Sequence, residues 1–126
     1  MGAVSRTRPT RLELGKAGEK AAADLLRKRG YEVVGAGFLA RRGELDLVCR
    51  RGNDLVVVEV KTRTDDSFGT PLEAVGTKKR RALMAAAAEY RALADWRGRI
   101  RFAVVCLTVN TDGGGFDSEL IEDPFS

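Results

Sequence analysis

Two hydrophobic periods alternate along the chain. Between Glu13 and Arg29, the spacing of Leu14, Ala17, Ala21 and Leu25, with alanines at 22 and 23, predicts an amphipathic helix that Gly30 ends. Glu19 lies one turn before Ala22, Ala23 and Leu26, at the border of the apolar stripe, so it is either a solvated helix glutamate or a carboxylate that looks inward. From Tyr31 the period changes to two. Tyr31-Glu32-Val33-Val34 reads as a strand followed by a flexible Gly35-Ala36-Gly37, Glu44 to Arg50 alternates, and Leu55 to Thr62 is a β-branched run fit for a central strand. Beyond a polar loop at 64–69, Thr70-Pro71-Leu72-Glu73 carries the signature of a helical turn. Thr77 is then expected to cap the main helix, because Leu83, Ala86, Ala87, Tyr90, Leu93 and Ala94 keep helical spacing to about Asp95. Ile100 to Val109 is almost continuously apolar and predicts a strand buried on both faces, reached from the central strand by a right-handed crossover. Gly113-Gly114-Gly115 is a turn, and Phe116 to Phe125 a final edge strand or a loose end. The predicted order α-β-β-β-α-β is an α/β sandwich of three layers on a mixed sheet, one domain over residues 13–126 behind a flexible basic tail, 1–12.

Charges interrupt the two best strands. Alternation puts Val57, Glu59 and Lys61 on one face of the central strand and Val56, Val58 and Val60 on the other. If Gly52-Asn53 is a two-residue hairpin loop, Arg51 faces Asp54, Val48 faces Val57, and Asp46 falls opposite Glu59; a bulge would shift this register and break the pairing. Opposed carboxylates repel, so something positive belongs between them, either Lys61 or a hard divalent cation.

Composition narrows the chemistry. The chain has no histidine, which excludes Ser-His-Asp and Cys-His catalysis and leaves acid-base work to carboxylates, lysine or metal-bound water. A net charge of +4, with arginine dominating the cations, favours a nucleic-acid partner. Lys78, Lys79, Arg80 and Arg81 crowd the start of the main helix, where the dipole disfavours cations and an anionic partner would relieve them. Arg41 and Arg42, which lead into the hairpin, and Arg63, just after the central strand, join them as candidate nucleic-acid contacts. A solvated charged face is the competing reading of the 78–81 cluster. Cys49 and Cys106 sit in apolar segments without a CxxC motif, which points to a reducing cytoplasm, and no apolar run is long enough to span a bilayer.

Asp46 followed by Val58-Glu59-Val60-Lys61 resembles the PD-(D/E)xK nuclease signature in its Asp … Glu-x-Lys form. A wider set of segments resembles the bacterial YraN family, also called UPF0102, over about residues 15–110. These are Gly18-Glu19-Lys20-Ala21-Ala22, Gly43-Glu44-Leu45-Asp46-Leu47-Val48, Val58-Glu59-Val60-Lys61-Thr62-Arg63, Phe68-Gly69-Thr70-Pro71-Leu72-Glu73-Ala74-Val75 and Lys78. The resemblance implies a restriction-endonuclease-like fold close to archaeal Holliday-junction resolvases. It implies Asp46 and Glu59 as ligands for magnesium (or manganese), Lys61 as the group that positions or polarises the attacking water, and Glu19 as an auxiliary to metal binding. The implied activity is a metal-dependent, endonuclease-like phosphodiesterase acting on nucleic acid, with branched DNA among the substrates left open beside single strands and RNA, and a homodimer the arrangement common among junction nucleases. One position departs: members often have aspartate where this chain has Ala103. A non-catalytic nucleic-acid-binding or complex-forming protein that retains the fold is the alternative, and a purely structural Glu59–Lys61 pair is the third reading.

Overall fold

The computed structural model describes residues 10–64, 76–110 and 114–125. The expected loop from Asp65 onward and the helical turn at Thr70–Glu73 lie outside them. The chain runs α1 (Arg11–Lys28), β1 (Glu32–Leu39), β2 (Glu44–Arg51), β3 (Asp54–Arg63), α2 (Thr77–Ala94), β4 (Arg99–Val109) and β5 (Phe116–Glu122). All strands join one sheet in the order β1-β2-β3-β4-β5, antiparallel throughout except for the β3–β4 pair, which is parallel and spanned by α2. The α/β architecture is the expected one, with β5 the edge strand that the sequence left open between strand and loose end.

A helix covers each face of the sheet. Ala22, Ala23 and Leu26 of α1 pack on Leu47, Cys49, Val56, Val58, Ala103, Val105 and Leu107. On the other face, Leu83, Ala86 and Ala87 of α2 pack on Leu45, Val48, Leu55 and Val57. Burial of these aliphatic groups is the main source of stability, and it leaves β3 and β4 central and dry. Among the described residues, no helix is long and apolar enough to cross a membrane.

Local chemistry shifts several boundaries. Helix α1 begins at Arg11, inside the stretch expected to be tail, because Thr10 Oγ1 accepts from the Glu13 amide and the Glu13 carboxylate accepts from the Thr10 amide in a reciprocal capping box. Gly35 and Gly37 lie within β1 rather than in a flexible link; pairing with β2 continues across them after a register shift between Val33 and Gly35, so Val34 forms a bulge. Gly76, not Thr77, occupies the cap position of α2, and no side chain caps that end. The β2–β3 hairpin closes over Gly52-Asn53 as expected, with Arg51 opposite Asp54 and Gly52 at φ +61°, the left-handed conformation its turn requires.

Candidate functional site

The hairpin register holds from Arg51↔Asp54 to Leu47↔Val58, and there the ladder opens. Leu45 packs on the α2 side whereas Leu47 packs on the α1 side, so the strict alternation of β2 breaks at Asp46 between them. The Asp46 carboxylate takes over a ladder position: its Oδ2 accepts a hydrogen bond of 2.8 Å from the backbone amide of Val60. The expected face-to-face pair of Asp46 and Glu59 is therefore replaced by a skewed arrangement in which Asp46 is anchored on the β3 backbone one residue past Glu59.

Glu59 is the one charged residue in the buried set among the described residues, only 2% exposed. One oxygen, Oε1, lies 3.4 Å from Lys79 Nζ on the first turn of α2, and the other, Oε2, is buried with no hydrogen-bond partner among the described residues. Burial is the largest cause raising its carboxyl pKa to about 7; the Asp46 charge raises it further, and Lys79 and Lys61 oppose both. The nearest cation is thus Lys79 rather than the expected Lys61. The signal for it was present: Lys79 stands four residues before Leu83, a core residue of α2, so both share the helix face turned to the sheet.

At the end of β3, from Val60 to Thr64, an open groove of about 650 Å³ runs between that strand and the first turns of α1, at Arg11, Gly15 and Glu19. Lys61 and Glu19 both line it. Helix α1 approaches β3 this closely because Gly18 has no side chain; a Cβ there would overlap Thr62 Oγ1 and lie 3.3 Å from Thr62 Cβ. Glu19 is half-buried, and burial first, then the charges of Asp46 and Glu44, hold its carboxyl pKa above the ordinary value. The structure therefore brings Glu19 into electrostatic reach of Asp46, and Asp46 into reach of Glu59.

The basic residues divide. Lys79 is engaged with Glu59, and the Arg80 guanidinium lies 4.7 Å from the centre of the Phe125 ring. Lys78 and Arg81 are exposed on α2, as are Arg41 and Arg42 in the β1–β2 turn, where the Arg41 amide donates to Glu89 of α2. Arg63 donates to Thr108 Oγ1 at 3.4 Å and borders the groove. Ala103, where aspartate was the alternative, is 1% exposed in the α1-side core beside Val58, on the face of the sheet away from Glu59 and Lys79.

The oxygen donors fit a hard divalent cation: one buried carboxylate oxygen lacks a partner, and a second carboxylate is held beside it by a backbone amide. Among the described residues, no group of three or more His, Cys, Asp or Glu side chains is gathered as a ready cage. Water or a substrate oxygen would complete such a shell.

The profile of the uncharacterised protein family UPF0102 matches residues 18–107, a span that contains Glu19, Asp46, Glu59, Lys61 and Lys79. A UPF0102 protein of Syntrophomonas wolfei is 45% identical over 98 residues, 77% of this chain and 85% of that protein. Another, of Caldicellulosiruptor saccharolyticus, is 37% identical over 114 residues, 90% of this chain and 97% of its own length. A third, of Moorella thermoacetica, is 37% identical over 117 residues, covering 92% of this chain and 98% of that protein. The match across both helices and the central strands shows that the chain belongs to the UPF0102 family.

Proposed function

We propose that the chain is a metal-dependent, endonuclease-like phosphodiesterase acting on nucleic acid, with branched DNA as the leading substrate class. Glu59 carries the reading. A buried carboxylate with one oxygen unbonded is costly, and native cores rarely keep one without use. Here it stands beside Asp46 and two residues before Lys61, in the spacing of the PD-(D/E)xK nucleases that this chain resembles. Fold alone would not carry this, because one fold hosts many activities.

Asp46 and Glu59 would hold magnesium or manganese, which supplies activation of water and charge neutralisation at phosphorus when bound there. The Val60 amide fixes Asp46 in place, so the carboxylate needs little reorganisation. Lys61, at the groove, donates to the attacking water or to the charge that develops on a phosphoryl oxygen. Glu19 faces the same groove and orients water against Asp46. Exposed Arg41, Arg42, Lys78 and Arg81 supply phosphate contacts, with Arg63 at the groove rim. The buried free thiols of Cys49 and Cys106 suit a reducing cytoplasm, and a two-fold dimer would suit a branched substrate.

A second reading, a non-catalytic nucleic-acid-binding protein, is favoured by the Lys79–Glu59 pair, which already compensates the buried charge. Incubation of wild type and Glu59→Gln with labelled branched, single-stranded and duplex DNA and with RNA, in Mg²⁺ or Mn²⁺, separates the two. The nuclease reading expects cleavage by wild type alone. Binding without cleavage of any substrate supports the second reading.

A further inference from the structure

We infer that Lys79 is a built-in counter-ion that competes with the divalent cation for Glu59 and so sets the metal affinity of the site. The inference rests on the metal-site reading above and goes beyond it, since it assigns a role to a residue outside the Asp … Glu-x-Lys pattern.

Its ground is geometric. The Lys79 ammonium lies 3.4 Å from Glu59 Oε1, while Oε2 of the same carboxylate is buried without a partner. The Lys79 side chain is 43% exposed, so its charge can withdraw toward solvent, whereas the Glu59 side chain, 3% exposed, cannot follow. Around them, the first turn of α2 is held by Arg80 against the Phe125 ring, which keeps Lys79 over Glu59. Without a metal, one lysine offsets a carboxylate that is otherwise poorly solvated. When a divalent cation occupies the carboxylate pair, that ammonium becomes a like charge a few ångströms away and opposes binding. Lys79 thus stabilises the metal-free protein and weakens metal binding through the same contact. Phosphate groups arriving beside Lys78 and Arg81 would draw Lys79 outward, which makes nucleic acid and metal mutually reinforcing ligands.

The test is a calorimetric Mn²⁺ titration of wild type, Lys79→Met and Lys79→Arg, with thermal unfolding of each metal-free protein. Loss of the like charge in Lys79→Met should tighten binding by about tenfold or more, equivalent to about 1.4 kcal/mol, and lower the metal-free melting temperature. Lys79→Arg keeps the charge and should bind within about threefold of wild type, which also covers the case of a methionine variant that folds poorly. Binding by Lys79→Met where wild type shows none supports the inference in its strongest form. Wild-type binding that is unchanged or weakened in Lys79→Met overturns the inference while leaving the metal site standing. No binding by any of the three overturns the metal site and the inference with it.

Discussion

Replacing Glu59 by glutamine should make the metal-free protein more stable at pH 8 and remove a pH dependence that wild type shows. The Glu59 carboxyl is raised from an ordinary 4.5 to about 7 in the folded chain, chiefly by burial. Between those values the native state binds a proton that the unfolded chain has released, so stability falls as pH rises from about 4.5 to 7 and levels off above. A gap of about 2.5 pH units at about 1.4 kcal/mol each sets a ceiling near 3.5 kcal/mol, and relaxation of the folded chain around the buried charge places the expected loss at about 1–3 kcal/mol. For a domain of this size that is roughly 4–12 °C in melting temperature. Glutamine keeps the shape, removes the charge and carries no such dependence. Asp54 and Asp123, held below the ordinary range first by their hydrogen bonds to Arg99 and Arg101, act in the opposite sense: their stabilisation is present above their unfolded values and is lost as pH falls, outside this window. Glu19, raised by burial and by Asp46 and Glu44, titrates in both proteins and cancels in the comparison. Urea unfolding of both chains in EDTA at pH 5, 6, 7 and 8 reads the difference. Equal pH sensitivity of the two proteins, or a glutamine variant less stable than wild type at pH 8, would refute the account of Glu59 as a buried charge that Lys79 offsets only in part.

Lys61→Met should retain Mn²⁺ binding and lose about 10²–10³ in single-turnover cleavage, the usual cost of one transition-state donor; full activity removes Lys61 from the mechanism. Lys78→Ala with Arg81→Ala should flatten the salt dependence of DNA affinity, whereas Arg80→Ala should lower melting temperature and leave the slope alone, since Arg80 is committed to Phe125. Gly18→Ala should cost about 1–3 kcal/mol by forcing α1 off Thr62, and Thr62→Ala in the same chain should recover most of it; a cycle with no coupling would place the helix elsewhere.

The elements that were legible in the sequence are those fixed by local rules. Gly52-Asn53 specified its hairpin because a turn residue and two alternating runs agree, and that agreement carried the register as far as Leu47↔Val58. It failed one residue later because Asp46 exchanges strand alternation for a hydrogen bond to the Val60 amide, an event that depends on the neighbouring strand's backbone. The glycines of β1 read as flexible by propensity, and pairing with β2 overrode that propensity. Thr10 and Glu13 spelled a capping box, yet the start of α1 runs on from a basic stretch and its Leu12 is exposed, outside the apolar stripe that marks the helix. Asp46, Glu59 and Lys61 were recognisable from spacing and resemblance, whereas Lys79 required α2 to be set against β3. Its place four residues before Leu83 gave the helix face but not the partner. The contact between Gly18 and Thr62, which lets Glu19 reach the groove, is purely tertiary and leaves no periodic trace.

The claim on which the rest depends is that Asp46 and Glu59 together hold a divalent cation. Mn²⁺ titration followed by the thermal midpoint, in wild type and in Asp46→Asn, tests it most directly, because asparagine can still accept from the Val60 amide while removing the ligand charge. The account predicts a saturable rise in the wild-type midpoint that is absent or strongly weakened in Asp46→Asn. An identical rise in both proteins would contradict it.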